Sequence, residues 1–218
     1  MARQRPALSP QRIIEAAVRV ADAGGLRQVS MRNVATELGV EAMSLYHHMA
    51  GKGAILDALA DWVFTQIDPP EPTEPWREAM TRRAGSARGA LAAHPWALGL
   101  IESRGVPGPA LLRHHDAMLG CLLANGFPAP MATHAFSAID AYIYGFVLTE
   151  HTVPFEAGGA EEFAAGIEQF VPAEQYPHLS AMLHEQVLGH GYDFADEFDF
   201  GLELILDGLQ RRLERDWR

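Results

Sequence analysis

The chain has 218 residues, 48% of them hydrophobic, and a formal net charge of -11. This length accommodates one large domain or two smaller ones, and the apolar content excludes a disordered chain. Apolar stretches such as residues 138–148 are interrupted and too short to cross a membrane, and the N-terminus lacks the apolar core of a secretory signal. The single cysteine, Cys121, cannot form an internal disulfide. From these features together we expect a cytoplasmic protein with no membrane partner.

The charge is distributed unevenly along the chain. The first 56 residues contain seven Lys or Arg and four Asp or Glu, whereas the remaining residues contain ten and twenty-four. A small basic head on a large acidic body indicates that only the head binds phosphates.

Four helices are predicted in this first part of the chain. A serine–proline pair at residues 9–10 is typical of a helix start, and the glycines at 24–25 predict the end of that helix. Ser30 precedes a second apolar repeat that breaks at Gly39. The predicted helices cover about residues 10–24, 31–38, 42–48 and 54–67.

The second and third helices have the spacing of a helix-turn-helix. Ala35 is small enough for two steeply crossing helices to touch, and Gly39 tolerates the positive φ of the turn. Val34, Leu38, Val40 and Leu45 stand where the pair buries its inner faces. Two short helices of an ordinary core are the alternative, but the combined match favours DNA binding, with the second helix in a major groove.

Residue chemistry then assigns candidate DNA contacts. Glu41 either reads a cytosine amino group or caps the recognition helix, and we favour the cap. Tyr46 and His48 could instead pack against the first helix. Residues expected to contact bases are Arg32, Glu41, Ala42, Met43, Ser44 and His47, and residues expected to contact phosphates are Ser30, Tyr46, His48 and Lys52.

A proline-rich segment, residues 68–75, separates this head from the body, because four prolines in eight positions cannot continue a helix. No segment of usable length beyond it alternates with period two, so the fold class is all-α. Helices are predicted at about residues 75–93, 95–103, 108–125, 130–153, 159–170, 173–189 and 193–215.

The chain resembles the tetracycline-repressor (TetR) family of transcriptional regulators. In the head, the resemblance rests on residues 13–17 (IIEAA), 24–26 (GGL), 29–35 (VSMRNVA), 38–41 (LGVE), 44–48 (SLYHH) and 52–60 (KGAILDALA). In the body, it rests on the segment around Trp76 and on residues 91–96 (LAAHPW), 126–127 (GF), 144–148 (YGFVL) and 200–209 (FGLELILDGL).

This resemblance implies a helix-turn-helix DNA-binding domain (residues 1–53), a linking helix (54–67) and a larger helical ligand-binding and dimerisation domain (68–218). It also implies a homodimer that binds a palindromic double-stranded DNA operator and is released by a small molecule. The helices at 130–153 and 193–215 would form the dimer interface. Interface candidates are Ile139, Ile143, Val147, Leu202, Ile205 and Leu209.

The residues that chelate magnesium–tetracycline in the namesake repressor are not matched. Their positions hold Asp68, a residue near Ile101, and Thr149, and the pocket asparagine and phenylalanine correspond to Arg83 and Ala87. We therefore expect a different small hydrophobic effector. Its pocket candidates are Trp62, Met80, Arg83, Trp96, Arg104, Leu112, His115, Met118, Leu119, Phe136, Asp140, Tyr144 and Met182.

The sequence argues against a metal site and against an enzyme. The ten histidines lack metal-ligand spacing, so no metal or cofactor is expected. An enzyme using His115, Asp140 or Glu150 as acid or base has no supporting motif, and we expect no catalytic activity. A DNA-binding dimer that responds to a protein partner instead of a small molecule remains the alternative.

Overall fold

A computed structural model describes residues 7–155 and 158–215. Within these ranges the chain is helical and contains no β-strand. The helices are α1 (Pro10–Gly24), α2 (Met31–Leu38), α3 (Ala42–Leu45), α4 (Lys52–Phe64), α5 (Trp76–Ala93), α6 (Trp96–Ile101), α7 (Pro109–Ala124), α8 (Ala129–Glu150), α9 (Ala160–Ile167), α10 (Pro177–Met182) and α11 (Glu197–Leu213). The all-α prediction is confirmed.

The predicted helices are found with small shifts at their ends. The recognition helix is shorter than predicted, because the residues after Leu45 form a turn. A 3-10 turn, Glu168–Phe170, extends α9, and a π-helical turn, Leu183–Val187, extends α10. None of the helices in residues 7–155 and 158–215 is long and apolar enough to span a membrane.

Two serines and a glycine act at the helix ends as their chemistry predicts. The Ser9 hydroxyl accepts a hydrogen bond from the Arg12 N–H that begins α1, and the Ser30 hydroxyl accepts from Asn33 N–H at 3.1 Å in α2. Gly39 ends α2 at φ 66° and ψ 38°, in the left-handed region that favours glycine. Local sequence therefore determines where these two helices start and where α2 ends.

The chain divides into two compact units, Met1–Thr133 and His134–Arg218, and the division falls inside α8. The first unit contains α1 to α7. Its head is built on fully buried apolar side chains, among them Ile13, Val34, Leu45, Ile55 and Leu59. The domain boundaries predicted from the sequence, at residues 53 and 67, stay a prediction.

The second unit contains an aromatic cluster. The ring of Phe146 stacks on Phe194 at 5.0 Å and meets Phe198 edge-on at the same distance. The Tyr142 hydroxyl lies 2.9 Å from the carbonyl oxygen of Phe198, to which it can donate. These contacts hold α8 against the start of α11.

The apolar stripes predicted as a dimer interface lie largely inside the single chain. Ile139, Ile143, Val147, Leu202 and Leu209 are buried, and Ile205 is half-buried. These residues therefore pack within the subunit instead of presenting a surface to a second copy. The large apolar side chains that α8 and α11 do expose are Leu148, Phe200 and Leu204.

Candidate nucleic-acid interface and ligand site

The helix-turn-helix is assembled by a short turn between α2 and α3. Val34, Ala35 and Leu45 are buried, whereas Leu38 and Val40 are only half-buried. The Val40 N–H donates to the carbonyl of Ala35 at 3.0 Å, which closes the turn over the end of α2. Leu45 thus anchors α3 from its inner face and leaves the outer face free to contact DNA.

The outer face of α3 and the turn after it are exposed. Met43 has 71% of its surface exposed, Tyr46 has 50%, and His47 and His48 are exposed as well. Tyr46 and His48 do not pack into the head as the alternative interpretation required. Ala42 and Ser44 are half-buried.

Glu41 occupies the N-cap position of α3, but its side chain makes no capping hydrogen bond. The preference for a capping role was wrong. Glutamate has one more methylene than aspartate, and aspartate, not glutamate, is among the preferred N-cap residues. Glu41 is exposed immediately before the recognition helix.

Two basic side chains are exposed at helix starts that precede and follow α3 in the sequence. Arg32 is exposed in the first turn of α2, and Lys52 is exposed as the first residue of α4. Ser30 uses its hydroxyl to cap α2, so its contact with a phosphate would come from the backbone N–H groups of that helix start. The predicted contact residues therefore lie on α3 or in the helices and turns next to it in the sequence.

Helix α4 makes polar contacts with the start of α7 and with the connection that precedes it. The Asp61 carboxylate accepts hydrogen bonds from the N–H groups of Ala110 and Leu111 at 2.8 and 3.0 Å, which caps the start of α7. Asp57 forms an ion pair with Arg104, whose Nε donates at 2.6 Å. Arg104 was predicted to bind ligand. In the structure it lies in the connection between α6 and α7, and its guanidinium pairs with the carboxylate of Asp57 on α4.

A second connection joins α1 to the start of α6. One oxygen of Asp22 accepts hydrogen bonds from Trp96 Nε1 at 2.7 Å and from His94 Nδ1 at 2.8 Å. The Trp62 ring of α4 stacks on Trp96 at 6.4 Å and meets His94 edge-on at 5.0 Å. Sequence analysis missed Asp22, since 72 positions separate it from His94 and no local pattern pairs them.

We expect Asp22→Asn to lower the free energy of unfolding by about 1–2 kcal/mol, because two donors lose a charged acceptor. Urea denaturation at neutral pH measures the change. Asp57→Asn is the matched control, with an expected loss of about 0–1 kcal/mol, because its ion pair with Arg104 is more exposed to solvent. Equal losses in the two variants would contradict a special role for Asp22.

A buried polar pair lies between α5 and α7. Arg83 is completely buried, and its Nε donates to His114 Nε2 at 3.0 Å. Burial and the Arg83 charge lower the pKa of His114 to about 3, so the imidazole is neutral and carries its proton on Nδ1. That buried Nδ1 has no hydrogen-bond partner among the described residues. Such an unpaired buried donor is uncommon, because most buried polar groups in folded proteins have a hydrogen-bond partner.

Aromatic rings extend the surroundings of His114. The Phe64 ring of α4 lies 5.7 Å from His114 and 6.2 Å from His115. His115 was predicted to line the pocket and His114 was not, although His114 is the more buried of the two. The two adjacent histidines differ only in how deeply the fold buries them, and the sequence does not show this.

The other predicted ligand residues differ in exposure. In the first unit, Met80 and Met118 are fully buried, Trp96 is buried, and Trp62 and Leu119 are half-buried. Leu112 is exposed on α7, and its place in a ligand site stays a prediction. In the second unit, Asp140 is buried, Phe136 and Tyr144 are half-buried, and Met182 is exposed. No group of three or more metal-ligating side chains occurs within residues 7–155 and 158–215.

Two family models match the chain. The model described as bacterial regulatory proteins, tetR family, matches residues 13–59, which span α1 to the middle of α4. The model described as tetracyclin repressor-like, C-terminal domain, matches residues 68–213. The two matches together leave only the ends of the chain and residues 60–67 uncovered.

Individual proteins match over nearly the whole length. The chain is 34% identical over 216 residues to the HTH-type transcriptional repressor DrrR1 of Streptomyces coeruleorubidus, covering 94% of this chain and 78% of that protein. It is 31% identical over 211 residues to the tetracycline repressor protein class A from transposon 1721 of Escherichia coli, covering 94% and 92%. The crystal structure of the Streptomyces coelicolor TetR family protein ActR in complex with actinorhodin matches with a TM-score of 0.76 and 27% identity, covering 95% and 99%.

Proposed function

The chain belongs to the TetR family of bacterial regulatory proteins, and on that basis we propose that it represses transcription by binding a palindromic operator as a homodimer. A small hydrophobic ligand other than magnesium–tetracycline releases it. The exposed outer face of α3, anchored by the buried Leu45, carries this proposal. An α-helix presented in this way fits the major groove of DNA.

The DNA contacts divide by chemistry. Met43 has the size and apolar surface to contact a thymine methyl group, and His47 can hydrogen-bond a base edge. Lys52 and the N–H groups that begin α2 at Ser30 would bind phosphates and set the register on the duplex. Arg32 can reach either a base edge or a phosphate, because it projects from the first turn of α2.

The ligand is proposed to bind around His114, whose Nδ1–H is a buried donor. Met80 and Met118 supply apolar surface, and a methionine side chain adapts to flat or irregular ligands. The related ActR was solved in complex with actinorhodin, and DrrR1 is named a repressor, which supports a repressor that responds to a bound small molecule. Position 83 carries an arginine here, so the ligand differs from tetracycline.

Release from DNA would follow from the contacts of α4. Phe64 of this helix touches His114, and Asp61 caps α7. A ligand that prefers one arrangement of α7 therefore favours one position of α4. The head moves with α4, because α1 to α3 directly precede that helix. Recognition helices in a dimer must match grooves about 34 Å apart, so a small rotation of each head weakens operator binding.

Dimerisation is proposed to use the apolar surface of α8 and α11. Phe200 and Leu204 are 63% and 57% exposed and stand four residues apart, on one face of α11. Leu148 adds exposed apolar surface on α8. Because large exposed apolar side chains in neighbouring positions mark interfaces, these residues replace the buried stripe as interface candidates.

A mobility-shift assay on the DNA upstream of the protein's own gene tests the proposal. We expect a salt-sensitive complex of dimer size, weakened by Arg32→Ala and Lys52→Ala, because each removed phosphate contact lowers the slope of log affinity against log salt by about 1. Arg113→Ala, an exposed arginine on α7 outside the head, is the control and should bind normally.

Random-sequence selection replaces the upstream DNA if no complex forms there. Failure of both would reject DNA binding. A complex that no small organic molecule dissociates would reject the ligand-release step and favour control by a protein partner.

A further inference from the structure

The second unit contains a cavity of its own, with a volume of about 280 Å³. It lies among α9, α10 and the π-helical turn Leu183–Val187. Its walls are mainly apolar and include Phe155, Phe163, Ala164, Leu179, Met182 and Val187. Of the ligand residues predicted from the sequence, only Met182 lines it, and its lining includes neither His114 nor any other residue of the first unit.

The cavity wall contains a rare backbone feature. Residues Leu183–Val187 continue α10 as a single π-helical turn, closed by a hydrogen bond from Leu188 N–H to the carbonyl of Leu183 at 2.8 Å. Such turns interrupt regular helices and occur frequently at functional sites. Here the turn supplies Gln186 and Val187 to the cavity lining.

One end of the cavity is polar and negative. Gln186 Nε2 donates to Glu197 Oε1 at 3.2 Å, and both residues line the cavity with Tyr192. Burial and the neighbouring carboxylates, Glu197 first among them, raise the pKa of Tyr192, so its hydroxyl stays protonated. Within the described part of the chain, no basic side chain forms an ion pair with Glu197.

We propose that this cavity is a second ligand site, which binds a small amphipathic amine. The aromatic or aliphatic body lies against Phe155, Phe163 and Val187, and the ammonium group lies at Glu197. An apolar cleft with a few polar groups at one end is the general form of a small-molecule site. The carboxylate selects a cation over a neutral or anionic molecule of the same shape, because it lacks a basic partner.

Three probes of equal size separate the contributions of shape and charge: 1-naphthylmethylamine, 1-naphthylmethanol and 1-naphthoate. Binding to the full-length protein is measured by calorimetry, and the Met182 methyl group is followed by NMR, with Met182→Leu identifying its signal. We expect the amine to shift this signal and to bind about tenfold more tightly than the alcohol, with the carboxylate weakest.

Two variants test the location of the site. Glu197→Gln should remove the preference for the amine over the alcohol, whereas Glu203→Gln, on the exposed face of α11, should retain it. Ala164→Phe fills the cavity and should abolish binding of both probes, provided that its melting curve shows a folded protein. Equal affinity for amine and alcohol, or an unshifted Met182 methyl signal in the wild type, would overturn the proposal whether or not Ala164→Phe folds.

Discussion

Met43→Glu is expected to abolish operator binding and to leave the fold intact. Met43 is 71% exposed at the centre of the recognition helix, so the substitution removes no core contact. A carboxylate at this position approaches the phosphates and the acceptor atoms of the groove, and it repels both. We expect a loss of about 1–3 kcal/mol for each half-site, and both half-sites of a palindrome are affected.

Fluorescence anisotropy with a labelled operator measures this loss, and circular dichroism verifies the fold. Val106→Glu is the matched control, since Val106 is 77% exposed and lies in the connection between α6 and α7, outside the head. It introduces the same charge in place of an equally exposed apolar residue and should bind DNA as the wild type does. Equal weakening by the two substitutions would indicate a nonspecific effect of charge and would exclude α3 as the recognition helix.

The protein is expected to lose stability as the pH falls below about 6.5, and His114 is the cause. The unfolded chain takes up a proton on this histidine near pH 6.5, whereas the folded chain holds it neutral down to about pH 3. Between these values the unfolded state binds more protons, so acid favours unfolding. The loss attributable to His114 at pH 5 is about 2 kcal/mol relative to pH 7.5.

Urea denaturation at pH 7.5 and pH 5 tests this expectation. His114→Gln keeps an oxygen that can accept the hydrogen bond from Arg83 but has no titrating group, so its stability should fall less with acid than that of the wild type. His178→Gln replaces an exposed histidine and should keep the wild-type pH dependence. If wild type and His114→Gln respond identically to pH, the neutral buried imidazole is refuted.

Helix α4 contacts both the group of side chains around Asp22 and the buried His114. Asp22, His94, Trp96 and Trp62 join α1 to α4 and α6, while Phe64 joins α4 to His114. The two contacts on α4 come from Trp62 and Phe64, which lie two residues apart near the end of that helix. A ligand bound at His114, as we propose, would act on a helix that already carries head contacts, which is the physical requirement for coupling two sites.

Interactions over a few residues were predictable in this chain. Ser9 and Ser30 cap the helices that follow them, and Gly39 ends α2 with positive φ, because hydrogen bonds at helix ends depend on residues within one turn. The exposure of Met43 follows equally from the burial of Leu45 two positions later on a short helix. The order of the helices and the helix-turn-helix also depend on residues close together in the sequence, and both predictions are confirmed.

Roles that depend on a distant partner were not predictable. Arg104 was predicted to bind a ligand and forms an ion pair with Asp57. His115 was predicted to line the pocket, whereas the buried donor without a partner is on its neighbour His114. The apolar stripe predicted to form the dimer interface is largely buried within the subunit. The spacing of residues along the chain defines which of them share a helix face. Which face meets another helix, and which carboxylate lies within reach of which cation, depends on packing between helices far apart in the chain, and only the tertiary structure decides it.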